Sequence, residues 1–386
     1  METKERLFGC MIGGAVGDAL GYPVEFMDGV DIREKYGLDG VRSYQLNADG
    51  KALISDDTQM SLYTANGILI GMYRGHYRGI MGRPDMYCRH TYLDWLTTQT
   101  EKGPRKDEYT KSWLNQVPEL FAMRAPGLTC LQSLNTIKNN GIVSNNSCGC
   151  GGIMRVAPWG LIAAKHYSYV DIHTIDLVGA EIARITHKHP LGFMPAAVFT
   201  HLIYRAAEGK IKTREDLENI IHEALDTLAN IIDDETGKRY EEVFKEDIEK
   251  FQGIIRDSLW RASCDARDEV MIEQMARGWT GHEALAIAIF CCWRHIDNFE
   301  DAVSAAVSHR GDSDSTGAIC GNLIGAILGI NAIPGKFKEG LEIRDVIEEM
   351  AEDIDDGIID HYDDNCDREK AIRQMRKYEE GQWPVK

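Results

Sequence analysis

Apolar residues recur at helical spacing along almost the whole chain. Leu7, Met11 and Ala15 fall on one face, as do Leu62, Ala65 and Leu69. Ala284, Ala288 and Cys291 repeat the spacing, followed by Ala302, Ala305 and Ala306. Period-two alternation is scarce, and only a short piece at 40–46 reads as extended. The pattern predicts an all-α fold with a compact, many-helix body. Two stretches read as decorations on it. One is 73–111, rich in Arg, Tyr and Gly; the other is 209–278, strongly charged, with helices expected on the outside. No repeat, low-complexity tract or linker divides the chain. Residues 1–386 are therefore expected to form a single domain, with a charged helical insert at 209–278 and an acidic C-terminal tail. The stretch 368–386 carries Trp383 and Pro384, and the sequence leaves its placement open.

Hydrophobic residues make up 44% of the 386, ample for a packed core and too many for general disorder. An uninterrupted apolar run of roughly 18 residues, the length a membrane span needs, does not occur, so no membrane association is expected. The opening METKERLFGCMIGG runs into a Gly-Asp motif without a small-residue cleavage site, and no signal peptide is expected. The formal charge is −18, from 43 Lys and Arg against 61 Asp and Glu. Such acidity argues against nucleic acid as a partner, except as a modified substrate. Carboxylates are dense at 342–367, which reads as a solvated helix face and its tail. The ten cysteines are scattered and form no CxxC pair. That speaks against a zinc framework and suits buried free thiols in a reducing cytoplasm. A monomer is expected.

Two acidic runs carry the first candidate chemistry. Ser55-Asp56-Asp57-Thr58 precedes an apolar helical pattern. Each residue type is a good N-cap, and acids suit a helix N-terminus. One residue suffices for a cap, however, and adjacent carboxylates add like-charge repulsion. A hard-metal site would use the surplus. The second run, GDSDSTG at 311–317, leads into a helical pattern rich in Ala318, Gly321, Gly325, Ala326 and Gly329. Gly inside a helix costs about 1 kcal/mol relative to Ala, so its repetition implies close backbone approach in a buried core. Asp312 and Asp314, two apart in a non-helical start, can aim both carboxylates at one cation. Oxygen ligands of this kind suit Mg²⁺, Mn²⁺ or Ca²⁺ and not zinc. A two-metal centre needs carboxylates from more than one segment, and together the runs supply them.

Three further motifs accompany these runs. SCGCGGIMR at 147–155 is a glycine run whose backbone N–H groups can approach an anion closely; a flexible turn is the plainer reading. It is neither a Walker A sequence nor a Rossmann fingerprint. GDALGYPVE at 17–25 places Asp18 after a glycine read as ending a helix. THKHP at 186–190 holds His187 and His189 before a proline read as a stop, where a histidine also serves as a cap or surface residue.

Taken in order, GDALGYPVEF, SDDTQM, RAPGLT, SCGCGGIMRVAP, THKHPLG and GDSDSTGAICGNLIGA resemble the motifs of the ADP-ribosylglycohydrolase family, the dinitrogenase-reductase-activating glycohydrolase and ADP-ribosylarginine hydrolase type. The resemblance runs from about residue 7 to 329. It implies a compact all-α fold around a central binuclear Mg²⁺ or Mn²⁺ site. On this resemblance Ser55, Asp56 and Asp57 supply metal ligands from one side, and Asp312, Asp314 and Ser315 from the other. Ser147, Gly149, Gly151 and Gly152 cradle the diphosphate, with Met154 and Thr129 also at the substrate. His187 matches the family histidine near the phosphates and distal ribose, and Glu25 the acid on the loop that closes over the metals. RAPGLT and the Ser-bearing GDSDSTG resemble the arginine type. Cys148 departs from the pattern, since many relatives carry a larger or charged residue there. The insert at 209–278 matches no family motif.

The implied reaction is hydrolysis at C1 of the distal ribose, through an oxocarbenium-like transition state, of ADP-ribose on a modified substrate. Arginine on a protein is the expected acceptor, with small-molecule conjugates as further substrates. Asp57, Asp314 and Glu25 are the expected catalytic groups. The competing readings are a hydrolase of serine-, nucleobase- or acetyl-linked ADP-ribose and a catalytically silent ADP-ribose-binding protein. A metal phosphohydrolase would need a further His/Asp ligand set that the sequence lacks.

Overall fold

The computed structural model describes residues 1–104 and 110–382. Helices hold 66% of the chain, and the described residues contain no β-strand, only isolated bridges such as Leu46 to Ala52. The piece at 40–46, read as extended, is irregular. With no second strand to pair, its backbone is satisfied locally, as where the Val41 amide donates to Ser308 Oγ at 2.8 Å.

Helix α1 spans Thr3–Gly21, α2 Gly29–Tyr36, α3 Asp56–Arg78 and α4 Pro84–Thr100. Next come α5 (Leu128–Lys138), α6 (Ala157–His166), α7 (Ile172–Arg184) and α8 (Pro190–Ala207). The charged insert contains α9 (Arg214–Asn230), α10 (Tyr240–Val243), α11 (Lys245–Ala262) and α12 (Asp268–Met275). The remaining helices are α13 (Gly281–Arg294), α14 (Phe299–Val307), α15 (Ser313–Leu328), α16 (Gly335–Glu339), α17 (Arg344–Asp356) and α18 (Arg368–Tyr378).

Helices α1 and α15 run antiparallel through the centre, enclosed by α13, α14, α17 and α8. Gly9, Gly13, Gly17 and Gly21 line one face of α1 at four-residue spacing. A Cβ at Gly13 or Gly17 would collide with the carbonyl oxygens of Gly321 or Gly317; one at Gly325 would strike that of Gly9. The backbones therefore touch with no side chain between them. This is the close approach that the small residues of α15 imply. It also explains why Gly17, read as ending a helix, lies inside α1: it serves packing and is not a cap. By composition, Thr3–Val24 is long and apolar enough to cross a membrane, yet 83% of that apolar window is buried in the protein. The core accounts for its hydrophobicity.

The stretch 73–111 is no decoration. Helix α4 packs along α3, and Tyr92 and Trp95 are fully buried, while Arg89 and His90 stay at the surface. The Arg and Tyr content hides an amphipathic helix. Residues 105–109 of that stretch lie outside the described residues. In the insert, α9 and α11 bury Leu217, Ile221, Leu228, Phe251 and Ile255 toward α8 and α13. Pro190, read as a stop, instead starts α8. Its fixed φ suits the first helical position, and the His189 side chain accepts from the Leu191 amide at 3.0 Å.

The acidic stretch 342–367 is mostly solvated, with two exceptions. Glu342 is buried and pairs with Arg124 at 3.1 Å. Asp353 is buried with Lys377 and the Tyr378 hydroxyl, which docks α18 on α17. Trp383 and Pro384 lie outside the described residues.

The backbone contact between α1 and α15 is testable away from any polar group. Gly13→Val should destabilise the fold by at least roughly 1–3 kcal/mol, read as a lower urea midpoint. An unchanged midpoint would contradict the contact.

Candidate functional site

Four segments converge at the end of the α1–α15 contact. The first is the end of α1 with the 3₁₀ turn Tyr22–Val24, carrying Asp18 and Glu25. The others are the start of α3, the glycine loop and the start of α15. At α3, Ser55 is the N-cap, and its Oγ accepts from the Asp57 amide at 3.2 Å. That capping role leaves Asp56 and Asp57 without structural duty. Asp18 caps the same helix from outside. It accepts from the Ser55 amide at 2.9 Å and the Thr58 amide at 3.1 Å, and from the Thr58 hydroxyl. At α15, Asp312 is the N-cap, accepting from the Ser315 amide at 3.4 Å; Asp314 accepts from the same amide at 2.9 Å.

Glu25, Asp312 and Asp314 each bring a carboxylate oxygen within 4.8 Å of the others. Asp57 accepts from Ser55 Oγ at 3.3 Å through Oδ2. Its Oδ1, like Glu25 Oε2, is buried with no hydrogen-bond partner. The Asp56 amide donates to the Arg124 carbonyl at 3.1 Å, which ties RAPGLT to this cluster. Arg124 of that motif anchors the segment by donating to the Ile54 carbonyl at 3.2 Å while pairing with Glu342.

Asp18, Glu25, Asp56, Asp57, Asp312 and Asp314 are all buried, and among the described residues none has an ion-pair partner. Burial, reinforced by repulsion from Asp314, pushes Asp18 up to about 7 and Glu25 up to about 10. Asp56, Asp57 and Asp312 are held well above the ordinary carboxylate range by the same two causes, and burial raises Asp314. Burying uncompensated charge costs several kcal/mol per ion, so this cluster requires either protons or cations. The donors meet the second need. Hard carboxylate and hydroxyl oxygens, two of them buried without partners, fit a divalent cation of the Mg²⁺ or Mn²⁺ kind.

The glycine loop lies against this cradle. Cys150–Gly152 form one 3₁₀ turn whose leading amides have no intrahelical acceptor. Neighbours hold the loop in place: the Gly281 amide donates to the Cys148 carbonyl at 2.8 Å, and the Cys150 amide to that of Trp279 at 3.2 Å. Ser147 Oγ lies 3.0 Å from Thr129 Oγ1 and 3.4 Å from the Gly149 amide. Met154 Sδ is 4.0 Å from Ser315 Oγ, so the loop abuts the start of α15.

His187 lies under the glycines. A Cβ at Gly149 would sit 3.3 Å from its Nε2, and one at Gly151 would sit 3.1 Å from its Cε1. Its Nδ1 is 2.9 Å from the Thr186 hydroxyl, which accepts from Arg155 at 2.7 Å. Burial, with nearby Arg155, lowers His187 to about 3, so the ring is neutral. The structure thus gathers Ser55, Asp56, Asp57, Asp312, Asp314, Ser315 and Glu25 on one side. Ser147, Gly149, Gly151, Gly152, Met154, Thr129 and His187 stand on the other.

Sequence reasoning missed several contributors. Asp18 is visible in GDALG but reads as a loop acid unless α1 is carried through Gly17. Cys150 reads as an ordinary thiol, yet its Sγ lies 2.6 Å from Asp312 Oδ2. Arg155 is fully buried, stacked over Tyr92 at 4.4 Å, and braces Thr186 beneath the loop. Phe26 and Trp279 stack at 5.9 Å and join the Glu25 turn to the glycine loop. The turn is further tied by Asp28 to Arg310 at 2.9 Å, and the following α2 by Arg33 to Glu269 of the insert. No sequence signal pairs these residues.

The ADP-ribosylglycohydrolase family model matches residues 1–364. The chain is similar to ADP-ribosylhydrolase ARH1 of Dictyostelium discoideum, 27% identical over 91% of this chain and 94% of that one. It is 22% identical to the ADP-ribosyl-dinitrogen reductase glycohydrolase of Rhodospirillum rubrum, covering 89% of this chain and 92% of the other. A solved structure described as an ADP-ribosylglycohydrolase-related protein complex superposes with a TM-score of 0.60 at 21% identity, over 92% of this chain and 98% of its own. That last likeness speaks for the fold.

The raised carboxyl groups set a pH dependence for the metal-free protein. The folded state keeps protons on Asp18 and Glu25 that the unfolded chain has lost above the ordinary carboxylate range. Stability therefore falls as pH rises toward and through their folded values. Between pH 7 and about 8, ordinary histidines and thiols contribute little to the difference. In chelator the melting temperature should drop across that interval; a rise would contradict the buried, unpaired cluster.

Proposed function

Because residues 1–364 match its model, the chain belongs to the ADP-ribosylglycohydrolase family, and we propose that it is a cation-dependent hydrolase releasing ADP-ribose from modified arginine on proteins. Members of this family hydrolyse ADP-ribose from modified substrates. One observation carries the cation reading: six buried carboxylates with no countercharge, two with unpartnered oxygens, converge beside a glycine loop. Ser55, Asp56 and Asp57 would hold cations from the α3 side, and Asp312, Asp314 and Ser315 from the α15 side. Bound Mg²⁺ or Mn²⁺ would supply charge to hold ribose hydroxyls and to acidify water. RAPGLT and GDSDSTG support arginine as the acceptor. The ten free thiols suit a reducing compartment, and the proposed setting is the cytoplasm.

The chain's own groups divide the remaining work. The loop amides around Gly149, Gly151 and Gly152 would receive the diphosphate, which needs backbone N–H groups more than charge. A neutral His187 with Nε2 toward the loop can donate a hydrogen bond there while Nδ1 accepts from Thr186. The unpartnered Asp57 Oδ1 would orient the attacking water and take its proton, with Asp314 sharing that task. Glu25, on the turn tethered by Phe26 and Trp279, would close over the cleft and exclude bulk water.

Asp57→Ala and Asp314→Ala should each abolish release of ADP-ribose from ADP-ribosyl-arginine and weaken Mn²⁺ binding, as should chelation for turnover. Full activity in either variant, or in chelator, would overturn the cation reading. A parallel panel of serine-, nucleobase- and acetyl-linked substrates tests the acceptor, and faster release from any of these would displace arginine. Gly151→Val places its Cβ 3.0 Å from Cys130 Sγ and 3.1 Å from His187 Cε1. It should raise KM far more than it lowers kcat, because it lifts the loop without touching the carboxylates.

A further inference from the structure

The cation cradle is not made of oxygen alone. Cys150 begins the 3₁₀ turn of the glycine loop, and its amide is fixed by the Trp279 carbonyl at 3.2 Å. That anchor turns the side chain toward α15, where Sγ lies 2.6 Å from Asp312 Oδ2. An independent observation marks the carboxylate cluster to which Asp312 belongs as a ligand site. Asp57 Oδ1 and Glu25 Oε2 are buried without partners, on residues only 2% and 7% exposed. Glu25, Asp312 and Asp314 meet within 4.8 Å.

We propose that Cys150 belongs to the cradle. With a hard cation its S–H donates to Asp312 Oδ2 and orients that carboxylate. A thiophilic divalent cation such as Cd²⁺ or Zn²⁺ takes the sulfur as an additional ligand. The inference rests on the cation reading above and adds to it a soft donor that the acidic motifs do not contain. Ligation forms a metal–sulfur bond and breaks the S–H bond; the proton leaves to solvent, and nothing is oxidised or reduced. Thiolates favour Zn²⁺-like ions, whereas carboxylates alone favour Mg²⁺ and Mn²⁺. A sulfur and a carboxylate oxygen on one tetrahedral cation stand about 3.6 Å apart, so the present contact must open by about 1 Å. Thiophilic cations should therefore occupy the cradle in place of Mn²⁺ and hold it in a different geometry.

The test uses the full-length protein with Cd²⁺ as the probe. Binding is read by the ultraviolet sulfur-to-cadmium charge-transfer absorbance and by release of bound Mn²⁺, followed by paramagnetic resonance. The wild type should show the band as Mn²⁺ is displaced. Cys150→Ser should lose the band and still bind Mn²⁺, and Cys150→Ala serves if the serine variant misfolds. Cys148→Ser, two residues away and also partly exposed, should keep the band. A band that survives in Cys150→Ser, or Mn²⁺ displacement without a band in the wild type, overturns the role of Cys150 alone. Failure of the wild type to bind Mn²⁺ overturns the cation reading itself.

Discussion

The site depends on two helices meeting without side chains between them. Gly9, Gly13 and Gly17 on α1 face Gly325, Gly321 and Gly317 on α15, and Gly21 faces the backbone of Ser313. An ordinary helix pair is held about 8–10 Å apart by its side chains, which can adjust when one changes. Here that adjustment is unavailable, so the relative height and rotation of the two helices are fixed by backbone shape. Gly21 packs on Ser313, immediately before Asp314. The last contact of the pair is thus also the boundary of the carboxylate cluster. Asp18 enters the cluster from one helix, Asp312 and Asp314 from the other.

The cluster then sets the chemistry by what it lacks. Buried acids in proteins normally find arginine or lysine, as Glu342 finds Arg124 and Asp353 finds Lys377. The six at the helix ends find only amides, hydroxyls and a thiol. Cationic side chains are present nearby but turned to other tasks. Arg155 is spent on Tyr92, Thr186 and the Ile182 carbonyl, and it adds to the burial that keeps His187 uncharged under the loop. The result is a buried carboxylate cluster without countercharge beside a loop of backbone amides.

Much of this was legible. The paired acids at two helix starts exceed the needs of capping, which Ser55 with Asp18 meets at α3 and Asp312 with Asp314 meets at the Ser315 amide of α15. The small residues after GDSDSTG announced a close approach, though not its partner. The four-residue glycine spacing on α1 was there to be matched with it. Other features were hidden for identifiable reasons. The stretch 73–111 looks polar by composition, while burial of Tyr92 and Trp95 depends on which face α3 covers. Glu342 and Asp353 look like solvated acids because their partners, Arg124 and Lys377, are distant or in the following helix. Cys150 is indistinguishable from nine other cysteines until the Trp279 carbonyl fixes its direction. Contacts of this kind join segments far apart in the chain, and no periodicity records them.

The α1–α15 contact also bears on how the protein comes into being. The glycine face of α1 is made some 300 residues before its partner at 313–328. Until then α1 has no backbone to seat against, and an apolar helix of this length must be sheltered by the earlier neighbours α3, α6 and α8, or by a chaperone. The cradle cannot be assembled around a cation early, because half its ligands are not yet synthesised. Loop closure over some 300 residues precedes assembly of the carboxylate cluster, so cation uptake at the proposed site would belong to the end of folding.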